Sequence, residues 1–106
     1  MDVIIHRIRL HDGVDPARFE AWVRDVDYET CPRLPSVRAF AVHRVSTEQD
    51  APFHYFESIS VTGPDEFARD MKTAAFQDLV AVFDTMATVV EEMSGELLEP
   101  GYQART

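Results

Sequence analysis

Residues 53–61 read FHYFESISV, and their alternation decides what kind of sheet this chain builds. One side of the row carries Phe53, Tyr55, Glu57, Ile59 and Val61. A period of two with one apolar side is a β-strand with one buried face. Glu57 stands in the middle of that apolar side, where an ionised group is costly unless something compensates it. The next stretch, TGPDEF at 62–67, starts a helix, with Pro64 at the first helical position and Asp65 and Glu66 at the positive end of the helix dipole. A short helix runs to about Lys72. A longer one follows, with Phe76, Leu79, Val80, Phe83, Met86 and Val90 on its inner stripe.

Upstream, VIIHRIRL at 3–10 sets Ile4, His6, Ile8 and Leu10 against Val3, Ile5, Arg7 and Arg9, which predicts a first strand. Asp15 and Pro16 then read as N-cap and first residue of a helix whose stripe is Phe19, Trp22, Val23 and Val26. Pro32 and Pro35 forbid its continuation. SVRAFAVHRVS at 36–46 predicts a second strand, with Val37, Ala39, Ala41, His43 and Val45 on one face and Arg38, Phe40, Val42 and Arg44 on the other. TEQDAP is the turn to the strand at 53–61, and EEMSGELLE at 91–99 reads as a last strand.

The order strand, helix, strand, strand, helix, strand is that of an α+β, ferredoxin-like domain. It predicts a four-stranded antiparallel sheet with both helices on one face, the first and third strands central and the second beside the third. One domain is expected over residues 1–100, with 101–106 a tail. The sheet face without helices would carry Val3, Ile5, Phe40, Val42 and Phe56 together with Arg7, Arg9, Arg38 and Arg44. Such a mixed face suits sheet-to-sheet packing with a second copy, so a homodimer is expected.

Composition narrows the partners. The formal charge is −9, which opposes binding to nucleic acid or an anionic membrane. A lone cysteine, Cys31, allows no internal disulfide and no all-cysteine metal site. No signal peptide or membrane-length apolar run is visible, and the expected location is cytoplasmic. No P-loop, dinucleotide fingerprint or nucleophile elbow is present, so chemistry without a cofactor is expected.

FHYFESISV together with GPDEFARDMKTAAFQDLVAVFDTM at 63–86 resembles the dimeric α/β-barrel superfamily. That superfamily includes monooxygenases, cyclases, decarboxylases, dehydratases and stress proteins, so the resemblance implies the fold more than the activity. The stretch HRIRLHDGVDPARFEAWVRDVDYETCPRLPSVRAFAVHRVS at 6–46 is similar to the RedY-like proteins of actinobacterial gene clusters for pyrrole and indole natural products. The similarity implies a small homodimer working on an aromatic biosynthetic intermediate.

On the predicted helix-facing side, His6, His43 and Glu57 are the polar residues, one from each of three strands. Residues directly opposite on paired strands lie within about 5.5 Å at Cβ, so a His–Glu–His row across the sheet is geometrically reasonable. Ala41, small and on the same predicted face, would leave volume beneath the helices. Trp22, Tyr55 and Phe83 would line that volume for a flat aromatic ligand, and Tyr28 and Cys31 could close one end. A carboxylate beside a histidine in an apolar hollow can exchange a proton near neutral pH. Glu57 and His43 would then be the acid–base pair and His6 an orienter or relay. Plainer roles remain open: a satisfied buried carboxylate for Glu57, a core histidine for His6, a solvent-facing His43 and an inert Cys31. Two histidines and a glutamate also match a non-haem iron ligand set, but the three come from separate strands with no local motif, and no metal is expected. The functions in view are acid–base catalysed cyclisation, tautomerisation or decarboxylation of an indole- or pyrrole-type intermediate. The alternatives are a cofactor-free monooxygenase acting on an electron-rich aromatic and a non-catalytic small-molecule binding or stress-response barrel.

Overall fold

The computed structural model describes residues 1–105; Thr106, the last residue of the expected tail, lies outside them. Strand β1 (Asp2–Leu10) leads into helix α1 (Pro16–Trp22). The Asp15 side chain caps α1 by accepting from the Ala17 N–H at 2.9 Å. The chain then winds through a π-helical segment at Val23–Asp27, a short α2 (Tyr28–Thr30) and a 3₁₀ turn at Cys31–Arg33. Strands β2 (Val37–Arg44) and β3 (Tyr55–Val61) follow, then helices α3 (Pro64–Asp70) and α4 (Ala74–Asp84), and finally β4 (Ala87–Glu96). The last strand starts four residues earlier than expected. The β-branched run Thr88–Val90 favours extended backbone over a continued helix, so Val90 leaves the predicted helical stripe.

The four strands form one antiparallel sheet in the order β2-β3-β1-β4. This is the ferredoxin-like α+β fold, with the predicted first and third strands at the centre. His6 pairs directly with Glu57 on β3 and with Glu92 on β4.

Strand β2 departs from its predicted facing. Val37 pairs with Val61, but Ala39 already pairs with Ser60, so Arg38 is an extra residue in the ladder. One bulged residue reverses every later side chain, because the strand period is two. Phe40 therefore sits beside Ile59 and Val42 beside Glu57, on the helix side. Ala39, Ala41 and His43 turn to the other face. Arg44 pairs with Tyr55 on the helix side, where it binds Glu20 of α1 through Nε at 2.8 Å and also through Nη2. Phe53 precedes β3 and lies beneath the Arg7 guanidinium, 5.0 Å from it, on the face away from the helices. Arg7 also pairs with Glu91 of β4 at 3.2 Å.

Two buried clusters fill the space between sheet and helices. Ile8, Leu10, Phe19, Val23, Tyr55, Met86 and Ala87 form one; Ile59, Val61 and Phe67 form the other, with Phe40 and Phe76 packed against them. Two further polar contacts fix the frame. The Tyr55 hydroxyl donates to Glu20 at 2.8 Å, and Glu20, held chiefly by Arg44, is an acid of about 2. At the other end, buried Asp70 accepts from the Ser36 N–H at 2.8 Å and from its hydroxyl, fastening α3 to the entrance of β2.

Replacing Asp70 by Ala leaves two buried donors without an acceptor, at a cost of about 3 kcal/mol. The expected result is a lower urea midpoint with an unchanged slope.

Candidate active site

A cavity of about 490 Å³ lies between the sheet and the helices. It is lined by Ile59, Val61 and Phe67 from one buried cluster and by Trp22 and Phe83 at the margin of the other. The hollow interrupts the core where a continuous core would otherwise run. Its walls are mainly apolar and aromatic, and most of its ionisable groups gather toward one end, the usual arrangement of a small-molecule site.

His6, Glu57, Asp27 and Cys31 form a polar corner there. His6 Nδ1 lies 2.7 Å from Glu57 Oε2, and His6 Nε2 lies 3.3 Å from Glu92 Oε1. The imidazole thus joins a nearly buried carboxylate, 13% exposed, to one at the rim, 64% exposed. The hydrogen bond to Glu57 raises the His6 pKa against the opposing effect of burial, and Glu92 adds to the rise. The charged imidazolium is therefore favoured between its two acceptors.

Asp27 escaped the sequence reading. A regular α-helix through Phe19, Trp22 and Val23 would centre Val26 on the inner stripe and leave Asp27 at its flank. Instead, the Tyr28 N–H donates to the Val23 carbonyl, five residues back. The wider turn adds one residue to the helical circuit. Val26 is left exposed, and Asp27 is carried into the cavity wall. Burial, and secondarily the charge of Glu57, push its carboxyl up from 3.8 to about 7. The signal in the sequence was an acid within one residue of an apolar stripe; the backbone irregularity that selects it has no such mark.

Trp22, Phe83 and Cys31 line the cavity as expected. The Cys31 thiol donates to the Asp27 carbonyl at 3.6 Å. Burial first, and the Asp27 charge second, push it up to about 11, so it is a neutral thiol and not a nucleophile.

The remaining expected residues lie elsewhere. His43 does not join Glu57: the Arg38 bulge puts it opposite Phe56 on the outer face, where the two rings stack at 4.6 Å. Ala41 is carried to the same outer face and leaves no volume beneath the helices. Tyr55 is in the core with its hydroxyl committed to Glu20. Tyr28 covers the free edge of β2, its hydroxyl oxygen accepting from the Val42 N–H at 3.0 Å and its ring edge-on to Phe40. His54 is buried and structural: Nδ1 accepts from the Leu10 N–H at 3.0 Å, and Nε2 donates to the Glu48 carbonyl at 2.9 Å. Among the described residues no group of three or more His, Cys, Asp or Glu side chains is arranged to hold a metal ion. Among them, too, no helix is long and apolar enough to cross a membrane.

These features define a ferredoxin-like domain with a roofed cavity on the helix side of its sheet. The chain belongs to the family described as REDY-like protein HapK, whose model matches residues 2–98. It is 52% identical to HapK from Hahella chejuensis over 98% of this chain and 99% of that one, with a TM-score of 0.96. SnoaB from Streptomyces nogalater, a cofactor-independent oxygenase, shares the fold at 19% identity and a TM-score of 0.72, over 93% of this chain and 94% of its own. A dimeric ferredoxin-like protein of unknown function from Thermobifida fusca shares it at 15% identity and a TM-score of 0.66, over 89% and 86% of the two chains. No curated protein matches the chain.

The Asp27 shift has a stability signature. Between pH 3.8 and about 7 the folded chain holds a proton on Asp27 that the unfolded chain has lost. Stability therefore falls as pH rises through this window. Asp27→Asn removes that dependence, so the variant is expected to be more stable than the natural chain, by a margin that widens from pH 5 to pH 8. Urea unfolding at the two pH values measures it.

Proposed function

We propose that this protein is a cofactor-independent acid–base catalyst acting on an aromatic intermediate of secondary metabolism. The observation that carries the reading is a carboxyl, Asp27, held protonated in an apolar hollow beside the His6–Glu57 pair. Asp27, near 7, keeps a proton to give; Glu57, beside a favoured imidazolium, is placed to receive one. Two carboxyls in such different surroundings can divide the acid and base roles between them. His6 orients Glu57 and offsets its charge. The aromatic walls hold a flat ring against the pair and limit water, which matters for a reactive intermediate. Proton transfer of this kind drives cyclisation, tautomerisation or decarboxylation. Similarity to RedY-like proteins supports an indole- or pyrrole-derived substrate.

The assembly belongs to the same reading. The sheet face opposite the helices, with Val3, Ile5, Phe56 and the half-exposed Met93, would pack on a second copy to form a homodimeric barrel. A cytoplasmic setting suits its single free cysteine. The cofactor-free oxygenase activity named for SnoaB is the rival chemistry; incorporation of oxygen-18 from O₂ into product would establish it over proton transfer.

Asp27→Asn and Glu57→Gln are each expected to lower turnover at least a hundredfold in a reconstituted pathway, the usual scale for losing a general acid or base. The natural chain should lose rate above about pH 7 as Asp27 ionises. Unchanged rate and product ratio in both variants would remove these residues from the chemistry. If flux also fails when Val80→Phe fills the cavity, a carrier role would stand in place of catalysis.

A further inference from the structure

The charges around the cavity are one-sided. Asp2, Asp27, Glu57 and Glu92 contribute carboxyl groups, His6 is the sole basic side chain, and neither Lys nor Arg is among the lining residues. Three of the arginines carried by β1, β2 and the helical segment above them are committed elsewhere. Arg44 and Arg24 bind Glu20, and Arg7 binds Glu91 on the outer face. Even with His6 charged, carboxylates outnumber it. The free acceptor oxygens of Glu57 and Glu92 call for N–H or O–H donors on a guest, and the one cation of the wall, His6, is already held between these two carboxylates.

We propose that the cavity selects its guest by charge, taking a neutral or cationic ring that carries N–H donors and rejecting the same ring when it bears a carboxylate. This rests on the reading of the cavity as an aromatic-ligand site and adds the charge class of that ligand. The protein's own side chains supply an internal comparison. Asp27 is a carboxyl held in this corner, and both burial and the charge of Glu57 work against its ionised form. A guest carboxylate would meet the same two penalties. A ring nitrogen bearing hydrogen meets neither, since Glu57 accepts from it as it accepts from His6. The geometry also places Glu92 at the solvent-exposed rim, on the Nε2 side of His6.

Three probes with one ring system and different charge test this: indole-3-ethanol, tryptamine and indole-3-acetate, titrated calorimetrically into the full chain at pH 7.5. Indole-3-ethanol and tryptamine are expected to bind, tryptamine no more weakly than the alcohol, and indole-3-acetate at least tenfold more weakly than either. Glu92→Lys is expected to narrow the gap between acetate and alcohol at least threefold. Glu92→Gln, which keeps side-chain size, should shift the gap in the same direction if the lysine variant does not fold. Acetate bound within tenfold of the alcohol, or a gap unmoved by both substitutions, overturns charge selection while leaving the aromatic-site reading intact. Failure of all three probes to bind overturns both.

Discussion

His6 and Glu57 meet because β1 and β3 pair antiparallel in a single register at the centre of the sheet. A slip of one residue would turn either side chain to the opposite face and dissolve the pair. The same ladder sets Ile8 against Tyr55 and Ile4 against Ile59, so the polar contact shares its register with the apolar core. Ile8 and Tyr55 are almost wholly buried, and their packing resists the slip. Apolar burial thus holds in place an ion pair that burial alone would disfavour.

That economy sets where the histidine and its neighbouring acids meet. The central strands deliver Glu57 and His6, the neighbouring edge strand delivers Glu92, and the helical segment above delivers Asp27. Each acid has a distinct environment: Glu57 next to an imidazole, Glu92 toward solvent, Asp27 among apolar walls. Among the apolar walls, the Asp27 carboxyl alone is pushed up to about 7 by burial.

The fold was legible in the sequence because its determinants are periodic. Ile4, His6, Ile8 and Leu10 keep strict alternation, Asp15 and Pro16 mark a helix start, and the element order implies the strand order that is found. Half of the candidate site was legible for the same reason: His6 and Glu57 lie on uninterrupted parts of β1 and β3, and Trp22 and Phe83 on regular helix. The errors cluster where the backbone breaks period. A bulge at Arg38 exchanged the faces of β2, removing His43 and Ala41 from the hollow, bringing Phe40 into its wall and packing Val42 on the core. A widened helical turn exchanged Val26 for Asp27. Neither irregularity has a composition of its own, since an inserted residue looks like any other until its neighbours are paired. Tyr28 and Tyr55 were misplaced differently: their rings suited a ligand wall, but their hydroxyls were already committed within the protein.

The widened turn at Val23–Asp27 also bears on how such a site can arise. An ordinary helix lengthened by one codon must absorb the extra residue somewhere, and a local π turn does so without moving the strands on either side. By that route a surface acid can be rotated into an existing hollow in one mutational event, with no substitution at the acid itself. Loss of a codon from the same segment would carry it back to solvent. The burial of an acid in this hollow is therefore open to gain and loss through indels, while the sheets of lineages sharing the scaffold remain superimposable.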